Sequence, residues 1–230
     1  MNLPAGLTGR PIAHRGLWRA GLRPENSLAA FEAACAGGYG IELDVRLTAD
    51  GEPVVFHDEG LERLTAQSGL VEERTLEELF AITLFGGEHQ TIPSLAQALE
   101  LVAGRTVVLV ELKTPAGQEG LLEAPVAAML EAYDGPCAAL SFNAAALGWL
   151  ARHRPSIPRG LNINTAPDAP EIELARADFL SINKALSSNT YIQSWRSQGK
   201  PAITWTVRSP EEMAEATGLV DNIIFEGFAP

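Results

Sequence analysis

Two carboxylates alternate with aliphatic residues in the sequence I-E-L-D-V, residues 41–45. Because successive side chains of a β-strand point to opposite faces, Glu42 and Asp44 would share one face of such a strand. The Asp50-Gly51 pair that follows favours a two-residue hairpin turn, since glycine adopts positive φ at little cost. In that register His57 lies opposite Asp44, whereas a three-residue loop would shift the pairing by one. The segment therefore predicts two acids and an imidazole on one face, and a solvent-exposed strand face is the alternative.

Strand and helix patterns alternate along the rest of the chain. Predicted strands begin near residues 11, 40, 106, 137, 160, 179, 202 and 222, and helical patterns connect most of them. This order predicts an α/β fold, a TIM (β/α)8 barrel, with residues 1–230 forming a single domain. The second and third strands are unusually far apart. We therefore interpret residues from about 46 to 90 as a small insertion after the second strand.

Polar residues occur at the ends of several predicted strands. His14 and Arg15 end the first strand, Glu111 and Lys113 end the third, and Trp205 lies in the seventh. Active sites of such barrels lie at the C-terminal ends of the strands. The predicted fold therefore brings these five residues to the carboxylates of the hairpin.

Glu42, Asp44 and Glu111 would together offer three oxygen ligands. Hard oxygen ligands without cysteine or paired histidine suit one Mg²⁺ or Ca²⁺, or Mn²⁺, rather than Zn²⁺. An ion pair between Glu111 and Lys113 is the alternative, although burying such a pair in a barrel mouth is costly. We therefore expect one divalent cation as the cofactor.

The histidines and the cations would supply the other parts of a phosphodiesterase site. Because imidazoles titrate near neutral pH, His14 and His57 suit the roles of one general base and one general acid. Arg15 offers a planar fork to phosphate oxygens, and Lys113 offers a point charge. No Ser, Cys or Thr lies at a strand end beside both histidines, apart from Ser141, which has no visible base. The attacking oxygen would therefore come from water or from a substrate hydroxyl next to the phosphate.

The composition is that of a globular protein with an acid excess. The 230 residues are 46% hydrophobic and carry a net charge of −12, which argues against a nucleic acid or an anionic membrane as partner. The two cysteines, Cys35 and Cys137, are expected to be buried free thiols. His89 and His153 match no motif and are expected at the surface. With no visible signal sequence or membrane-spanning run, we expect a cytoplasmic protein without stable membrane association that acts on a small molecule.

Seven short motifs, taken in order, resemble those of the glycerophosphodiester phosphodiesterase family. They are H-R-G (14–16), P-E-N-S (24–27), E-L-D (42–44), T-A-D-G (48–51), V-V-F-H-D (54–58), E-L-K (111–113) and W-T-V (205–207). The resemblance implies a TIM-barrel enzyme that hydrolyses glycerophosphodiesters to sn-glycerol 3-phosphate and an alcohol. One departure is the C-terminal sequence N-I-I-F-E-G-F-A-P, where the family often has an acidic-Arg-Pro turn.

The resemblance also implies a role for each candidate residue. It gives the acid/base pair as His14 and His57, the metal ligands as Glu42, Asp44 and Glu111, the phosphate contacts as Arg15 and Lys113, and the aromatic residue at the glycerol end as Trp205.

Two other functions are compatible with the same fold. A phospholipase C-like or sphingomyelinase D-like phosphodiesterase would need an apolar membrane-binding rim or a secretion signal, and the sequence indicates neither. A non-catalytic barrel that only binds a partner would not need the complete set of two histidines and three carboxylates.

Overall fold

A closed barrel of eight parallel strands forms the centre of the computed structural model, which describes residues 3–230. Neighbouring barrel strands pair in parallel, and the first strand pairs with both the second and the last, which closes the barrel. The predicted TIM barrel is confirmed, and the predicted strand starts lie within two residues of the observed ones. The strands are β1 Ile12–His14, β2 Gly40–Leu47, β3 Pro53–Val55, β4 Val108–Leu112, β5 Cys137–Ser141, β6 Arg159–Ile163, β7 Phe179–Asn183, β8 Ala202–Val207 and β9 Asn222–Phe225.

Helices connect the barrel strands, and most begin at a polar residue that caps the free backbone N–H groups. Ser94 and Gln97, for example, form a reciprocal capping box at the start of α3. Two short 3₁₀ helices cover Val71–Glu73 and Lys184–Leu186. The α-helices are α1 Leu28–Gly37, α2 Leu76–Phe80, α3 Leu95–Val102, α4 Glu123–Ala132, α5 Ala144–His153, α6 Ala169–Ala175, α7 Thr190–Ser197 and α8 Pro210–Ala216.

The alternation of side chains along β2 separates the core from the site. Ile41, Leu43 and Val45 are fully buried in the large apolar core that includes the surrounding helices. Glu42 and Asp44 alternate with them and therefore point into the barrel. A second apolar cluster fills the lower barrel, at the N-terminal ends of the strands, and polar side chains occupy the upper end. Members of this lower cluster include Ile12, Leu109, Leu140, Phe179, Ile203 and Ile224.

The segment between β2 and α3 has a small apolar core of its own. Its only strand is β3, which runs antiparallel to β2, and α2 is its only α-helix. The remaining chain consists of loops and the first of the two 3₁₀ helices. The buried side chains of this core are Val54, Phe56, Leu61, Val71, Leu79, Leu84 and Ile92.

The hairpin of β2 and β3 has a register different from the predicted one. Val45 pairs with Val55, and Leu47 pairs with Pro53, so the loop contains three residues, 49–51, rather than two. Gly51 has a φ of 82°, as expected for a three-residue loop that ends in a left-handed glycine. The prediction that His57 lies directly opposite Asp44 was therefore wrong.

The side chain of Asp50 explains why the loop is longer. Its carboxylate accepts hydrogen bonds from the Thr48 hydroxyl at 2.5 Å and from the Leu76 N–H at 3.0 Å, which ties the turn to α2. Phe56 instead continues the pairing, since its N–H donates to the Asp44 carbonyl at 3.0 Å. His57 follows after β3 has ended, where the chain turns toward the barrel mouth.

Other expectations for individual residues are largely met. Cys35 and Cys137 are free thiols, but both are only half-buried. His89 and His153 lie at the surface, as expected. Within residues 3–230, none of the helices is both long enough and apolar enough to cross a membrane.

Gly160 marks a position where the lower barrel has no spare volume. A Cβ atom at this position would lie 2.4 Å from the Phe179 ring and 2.5 Å from Leu140. We expect Gly160→Ala to lower the free energy of unfolding by about 1–3 kcal/mol, as measured by urea denaturation. Gly9→Ala is the control, because the nearest atoms to a Cβ there are 3.6 Å away. Equal stability of the two variants would contradict tight packing around Gly160.

Candidate active site

The candidate site is a cavity of about 200 Å³ at the C-terminal end of the barrel. All eight residues singled out from the sequence line it, although they come from four barrel strands, the segment that follows β3 and the loop ends between them. Six further residues complete its wall. The predicted residues are His14, Arg15, Glu42, Asp44, His57, Glu111, Lys113 and Trp205, and the further ones are Leu140, Phe142, Asn162, Thr206, Arg208 and Ile224.

Three carboxylates lie together at the bottom of the cavity. Strand register places Asp44 beside Glu111 on the neighbouring strand, and one oxygen from each of Glu42, Asp44 and Glu111 lies within 4.8 Å of the others. Burial raises the pKa of Glu42 well above its ordinary value, and the neighbouring charges of Asp44 and Glu111 raise it further. Burial and Asp44 likewise raise the pKa of Glu111. Burial and mutual repulsion therefore both oppose ionisation of Glu42 and Glu111.

Two cations compensate part of this negative charge. Lys113 Nζ lies 2.9 Å from Asp44 Oδ1 and also contacts Glu111, so the ion pair considered as the alternative role of Glu111 is present. Arg15 Nε lies 3.3 Å from Asp44 Oδ2, and the Arg15 backbone N–H donates to Glu42 Oε2 at 3.1 Å. Burial alone would raise the pKa of Asp44, but Lys113 and Arg15 lower it well below the ordinary value.

The cluster fits one hard divalent cation. Its donors are all carboxylate oxygens, the type that Mg²⁺ and Ca²⁺ prefer. Glu42 Oε1 is buried and has no hydrogen-bond partner among the described residues, which leaves one ligand atom uncommitted. A divalent cation would also stabilise the ionised form of Glu42, because its positive charge would lower the pKa that burial and the neighbouring carboxylates raise.

Each histidine in the cavity is held through Nδ1 by a carboxylate. His14 Nδ1 lies 2.6 Å from Glu226 Oε2, and His57 Nδ1 lies 2.6 Å from Asp58 Oδ1. His14 Nε2 is 3.9 Å from Glu42 Oε2, so that nitrogen points toward the acidic cluster. In both residues Nε2 is left as the free ring nitrogen. Burial lowers the pKa of His57, which favours its neutral form.

Arg63 joins Asp58, the carboxylate partner of His57, to Glu25. Its guanidinium binds Asp58 at 2.5 and 3.0 Å, and it also binds Glu25 at 2.7 and 2.9 Å. Glu25 in turn accepts a hydrogen bond from Arg15 at 2.7 Å. Although burial opposes the shift, hydrogen bonds from Arg63 and His57 lower the pKa of Asp58 to about 2. A continuous chain of charged groups therefore joins His57 to Arg15.

Arg208 binds the carboxylate partner of His14, as Arg63 binds the carboxylate partner of His57. Its Nε donates to Glu226 Oε1 at 2.7 Å. Burial would raise the pKa of Glu226, but its contacts with His14 and Arg208 lower the pKa to about 2. Glu226 lies directly after β9, in the sequence that departs from the family pattern.

Several residues that position the site were not predicted from the sequence. Asn26 donates to Asp44 Oδ2 at 2.9 Å, and both Asn26 and Glu25 belong to the P-E-N-S motif, which was noted without a role for either. Asp58 directly follows His57 and was therefore visible as a candidate partner. Arg63 and Asn162 carry no local signal, because their importance depends on tertiary contacts.

The chain is similar in sequence to glycerophosphodiester phosphodiesterases. The sequence model of the Glycerophosphoryl diester phosphodiesterase family matches residues 14–225. A putative glycerophosphodiester phosphodiesterase of Bacillus subtilis is 31% identical over 93% of this chain and 92% of its own length. A glycerophosphodiester phosphodiesterase of Bacillus altitudinis is 43% identical over a shorter alignment, covering 44% of this chain and 43% of the relative.

Solved structures of the same kind superpose along nearly the whole chain. A phosphodiesterase of Oleispira antarctica, in complex with the product sn-glycerol 3-phosphate, has a TM-score of 0.87 and 28% identity, covering 96% of this chain and 93% of that chain. A glycerophosphodiester phosphodiesterase of Agrobacterium tumefaciens has a TM-score of 0.78 and 27% identity, covering 94% of this chain and 95% of that chain.

The Arg63 contacts predict a specific dependence of stability on pH. Since the pKa of Asp58 in the folded protein lies below its ordinary value, the paired carboxylate stabilises the fold above about pH 4 and loses this contribution as the pH falls toward 2. We expect Arg63→Gln to lower the free energy of unfolding by about 1 kcal/mol at pH 6, and the difference from wild type to shrink between pH 4 and pH 2.

Urea denaturation at several pH values measures this difference. Arg152→Gln is the control, because Arg152 lies exposed on α5 and makes no ion pair within residues 3–230. A loss of stability in Arg63→Gln that stays constant from pH 6 to pH 2.5 would show that Arg63 acts through packing rather than through its carboxylate partners.

Proposed function

Because the chain belongs to the glycerophosphoryl diester phosphodiesterase family, we propose that its cavity catalyses metal-dependent hydrolysis of glycerophosphodiesters by acid/base chemistry. The products would be sn-glycerol 3-phosphate and an alcohol. One observation carries the proposal: two histidines, each oriented by a carboxylate at 2.6 Å, face a cavity that also contains three carboxylates and two cations. Candidates for the general acid, the general base, the metal ligands and the phosphate donors would thus act in one cavity.

Glu42, Asp44 and Glu111 would hold the divalent cation, Mg²⁺ or Ca²⁺, or Mn²⁺. When bound, such a cation acts as a Lewis acid that polarises a phosphoryl oxygen and offsets developing negative charge. Asn26 and Asn162 orient two of the ligands, because they donate hydrogen bonds to Asp44 and Glu111 at 2.9 and 3.0 Å. Such support of ligand geometry is typical of metal sites.

Arg15 and Lys113 would bind the phosphate group. The Lys113 ammonium group contacts Asp44 and Glu111, so one of its three N–H donors remains available for the phosphate. Arg15 uses one terminal nitrogen on Glu25, and its guanidinium offers further donors to an anion in the cavity. These local cations would allow an anionic substrate to bind a protein whose net charge is −12.

His57 would act as the general base and His14 as the general acid. The lowered pKa of His57 favours its neutral form near neutral pH. Asp58 accepts a hydrogen bond from Nδ1–H of this ring, so Nε2 would be free to take the proton of the attacking hydroxyl. His14, bound to Glu226, would give a proton to the leaving alcohol oxygen. A base after β3 and an acid at the end of β1 can act on the two sides of the phosphorus atom.

The attacking oxygen would come from the substrate or from water. Ser141, the one hydroxyl left as a candidate by the sequence, is 1% exposed, donates to the Leu112 carbonyl at 2.9 Å and accepts from the Asn143 N–H at 3.0 Å. Its oxygen is committed to the backbone. Attack by the glycerol hydroxyl next to the phosphate would gain from its proximity to the phosphorus atom. This attack would expel the alcohol, protonated by His14, and leave a cyclic phosphate, which a water molecule would then open to sn-glycerol 3-phosphate.

The Oleispira antarctica relative supports the choice of substrate, since it binds sn-glycerol 3-phosphate and shares the fold along 96% of this chain. Trp205 and Phe142 form an aromatic wall beside the cavity, with ring centroids 5.6 Å apart in an edge-to-face arrangement. Such a wall would cover the carbon atoms of the glycerol moiety.

Hydrolysis of glycerophosphocholine tests the substrate and the metal requirement together. We expect release of sn-glycerol 3-phosphate and choline, loss of this activity in excess chelator, and recovery with Mg²⁺, Ca²⁺ or Mn²⁺. Asp44→Asn should require a higher metal concentration, because it removes a ligand charge. Full activity in chelator would contradict the metal requirement. The absence of sn-glycerol 3-phosphate with every cation would contradict the proposed substrate class and favour a different phosphodiesterase or a binding protein.

Kinetics of the histidine variants test the acid/base assignment. We expect His14→Ala and His57→Ala each to lower kcat by about 10²- to 10⁴-fold. Because the two groups act as a unit, the double variant should be only slightly slower than either single variant. His89→Ala is the control, because the His89 side chain is 91% exposed. If the loss in the double variant equals the product of the single losses, the two histidines act independently.

A further inference from the structure

The exposed apolar side chains of this protein are concentrated at one end of the barrel. Among residues 3–230, six large hydrophobic side chains are exposed, and five of them lie in segments that leave the C-terminal ends of the strands, where the cavity opens. Scattered exposed hydrophobic residues need no explanation, but a group of them at one end of a molecule indicates a contact surface. The five are Leu22, Leu70, Phe85, Leu121 and Phe142, and the sixth is Leu174 on α6.

Two of these residues lie on loops that touch each other. Leu22 and Phe85 are each 54% exposed. A Cβ atom on Gly86 would lie only 3.1 Å from the backbone nitrogen of the residue before Leu22, so the two loops are in close contact. Residues 19–23, between β1 and α1, and residues 84–90, between β2 and α3, therefore form one surface, which we call the loop-tip surface.

Backbone hydrogen bonds close both loops and leave their apolar side chains uncovered. The Arg19 N–H donates to the Arg23 carbonyl and the Arg23 N–H donates to the Arg19 carbonyl, both at 2.9 Å, so Leu22 lies in a three-residue loop between them. In the other loop the Leu84 N–H donates to the Gln90 carbonyl at 2.8 Å. The exposed leucine and phenylalanine are therefore held outward by ordered backbone.

Two arginines flank Leu22. Arg19 is exposed, and its guanidinium pairs with none of the described carboxylates. Arg23 Nε donates to a backbone carbonyl at 3.2 Å, and its two terminal nitrogens have no partner among the described residues. Glu88 is the one carboxylate in the loop-tip surface. A protein with a net charge of −12 therefore has a small positive region beside two exposed apolar side chains.

We propose that the loop-tip surface docks the protein reversibly on a phospholipid surface. Leu22 and Phe85 would insert between the lipid headgroups, and Arg19 and Arg23 would bind the lipid phosphates. Apolar side chains next to basic ones are typical of contacts with the membrane interface. A second protein is the less suitable partner, because two half-exposed side chains supply little of the about 800 Å² that each partner buries in a standard interface.

The lipid would be zwitterionic rather than anionic. A net charge of −12 repels an anionic surface, whereas phosphatidylcholine has no net charge and still offers its phosphate group to the arginines. Two inserted side chains are a weak anchor, so the association would not be a stable one. The sequence indicated no such surface, because its two loops meet only in the fold. This inference goes beyond the proposed function and does not depend on it.

Sedimentation with phosphatidylcholine vesicles tests the docking in excess chelator and without any turnover. We expect the wild-type protein to bind at millimolar lipid, and Leu22→Ser and Phe85→Ser each to lower the partition coefficient about 3- to 10-fold. Leu174→Ser is the matched control, because its side chain is 49% exposed but lies on α6, and it should bind as wild type does. No binding of the wild-type protein, or equal binding of all four proteins, would overturn the proposal.

Fluorescence quenching keeps the test decisive if a serine variant loses stability. Phe85→Trp adds a fluorophore to the loop-tip surface, and vesicles of brominated phosphatidylcholine should quench the emission that this residue adds. The emission added by Leu174→Trp should not be quenched. Equal quenching of the two variants, or quenching of neither, would contradict insertion of the loop-tip surface.

Analytical ultracentrifugation distinguishes a lipid surface from a second copy of the chain. We expect the sedimentation coefficient of the wild-type protein to equal that of Leu22→Ser. A wild-type dimer that Leu22→Ser dissociates, together with no binding to vesicles, would show that the loop-tip surface is a protein interface and would refute lipid docking.

Discussion

Three carboxylates buried within 4.8 Å of one another impose the main constraint on this structure. Placing like charges together away from water is unfavourable, so the surrounding groups must compensate them. Asp44 is compensated most completely, by Lys113, Arg15 and Asn26, whereas Glu42 Oε1 has no partner among the described residues. The parallel pairing of β2 with β4 makes the cluster unavoidable, because it sets Asp44 beside Glu111. The barrel therefore maintains an arrangement that a divalent cation would complete.

Opposite charges also compensate one another around the two histidines. Each is bound by a carboxylate, and each carboxylate is bound by an arginine, Arg208 for the Glu226 pair and Arg63 for the Asp58 pair. These guanidinium groups keep the carboxylates ionised and therefore able to orient the rings. Arg63 also reaches Glu25, and through it Arg15, so it supports the proposed base, His57, and the proposed phosphate contact, Arg15, together. Arg63, which does not line the cavity, would thus influence the proposed chemistry through the groups that it binds.

Much of the fold could be predicted because its signals are local. Apolar runs of strand length, helix caps and the positions of acids at strand ends all depend on residues close in sequence, and barrel topology then brings the eight candidate residues to one cavity. The hairpin register could not be predicted, because the contact of Asp50 with α2 decides the loop length. Glu226 and Asn162 also lacked a local signal. Their partners, His14 and Glu111, lie 212 and 51 residues away in the chain, and only the closed barrel brings them together.

Direct binding of a divalent cation is the measurement closest to the central claim, that the buried carboxylates form a metal site. Calorimetric titration of the metal-free protein with Mg²⁺, Ca²⁺ and Mn²⁺ should give one ion per chain, and Glu42→Gln should bind more weakly than wild type without unfolding. Glu32→Gln, at an exposed glutamate of α1, should bind as wild type does. No binding at millimolar concentrations, or unchanged affinity in Glu42→Gln, would contradict the account.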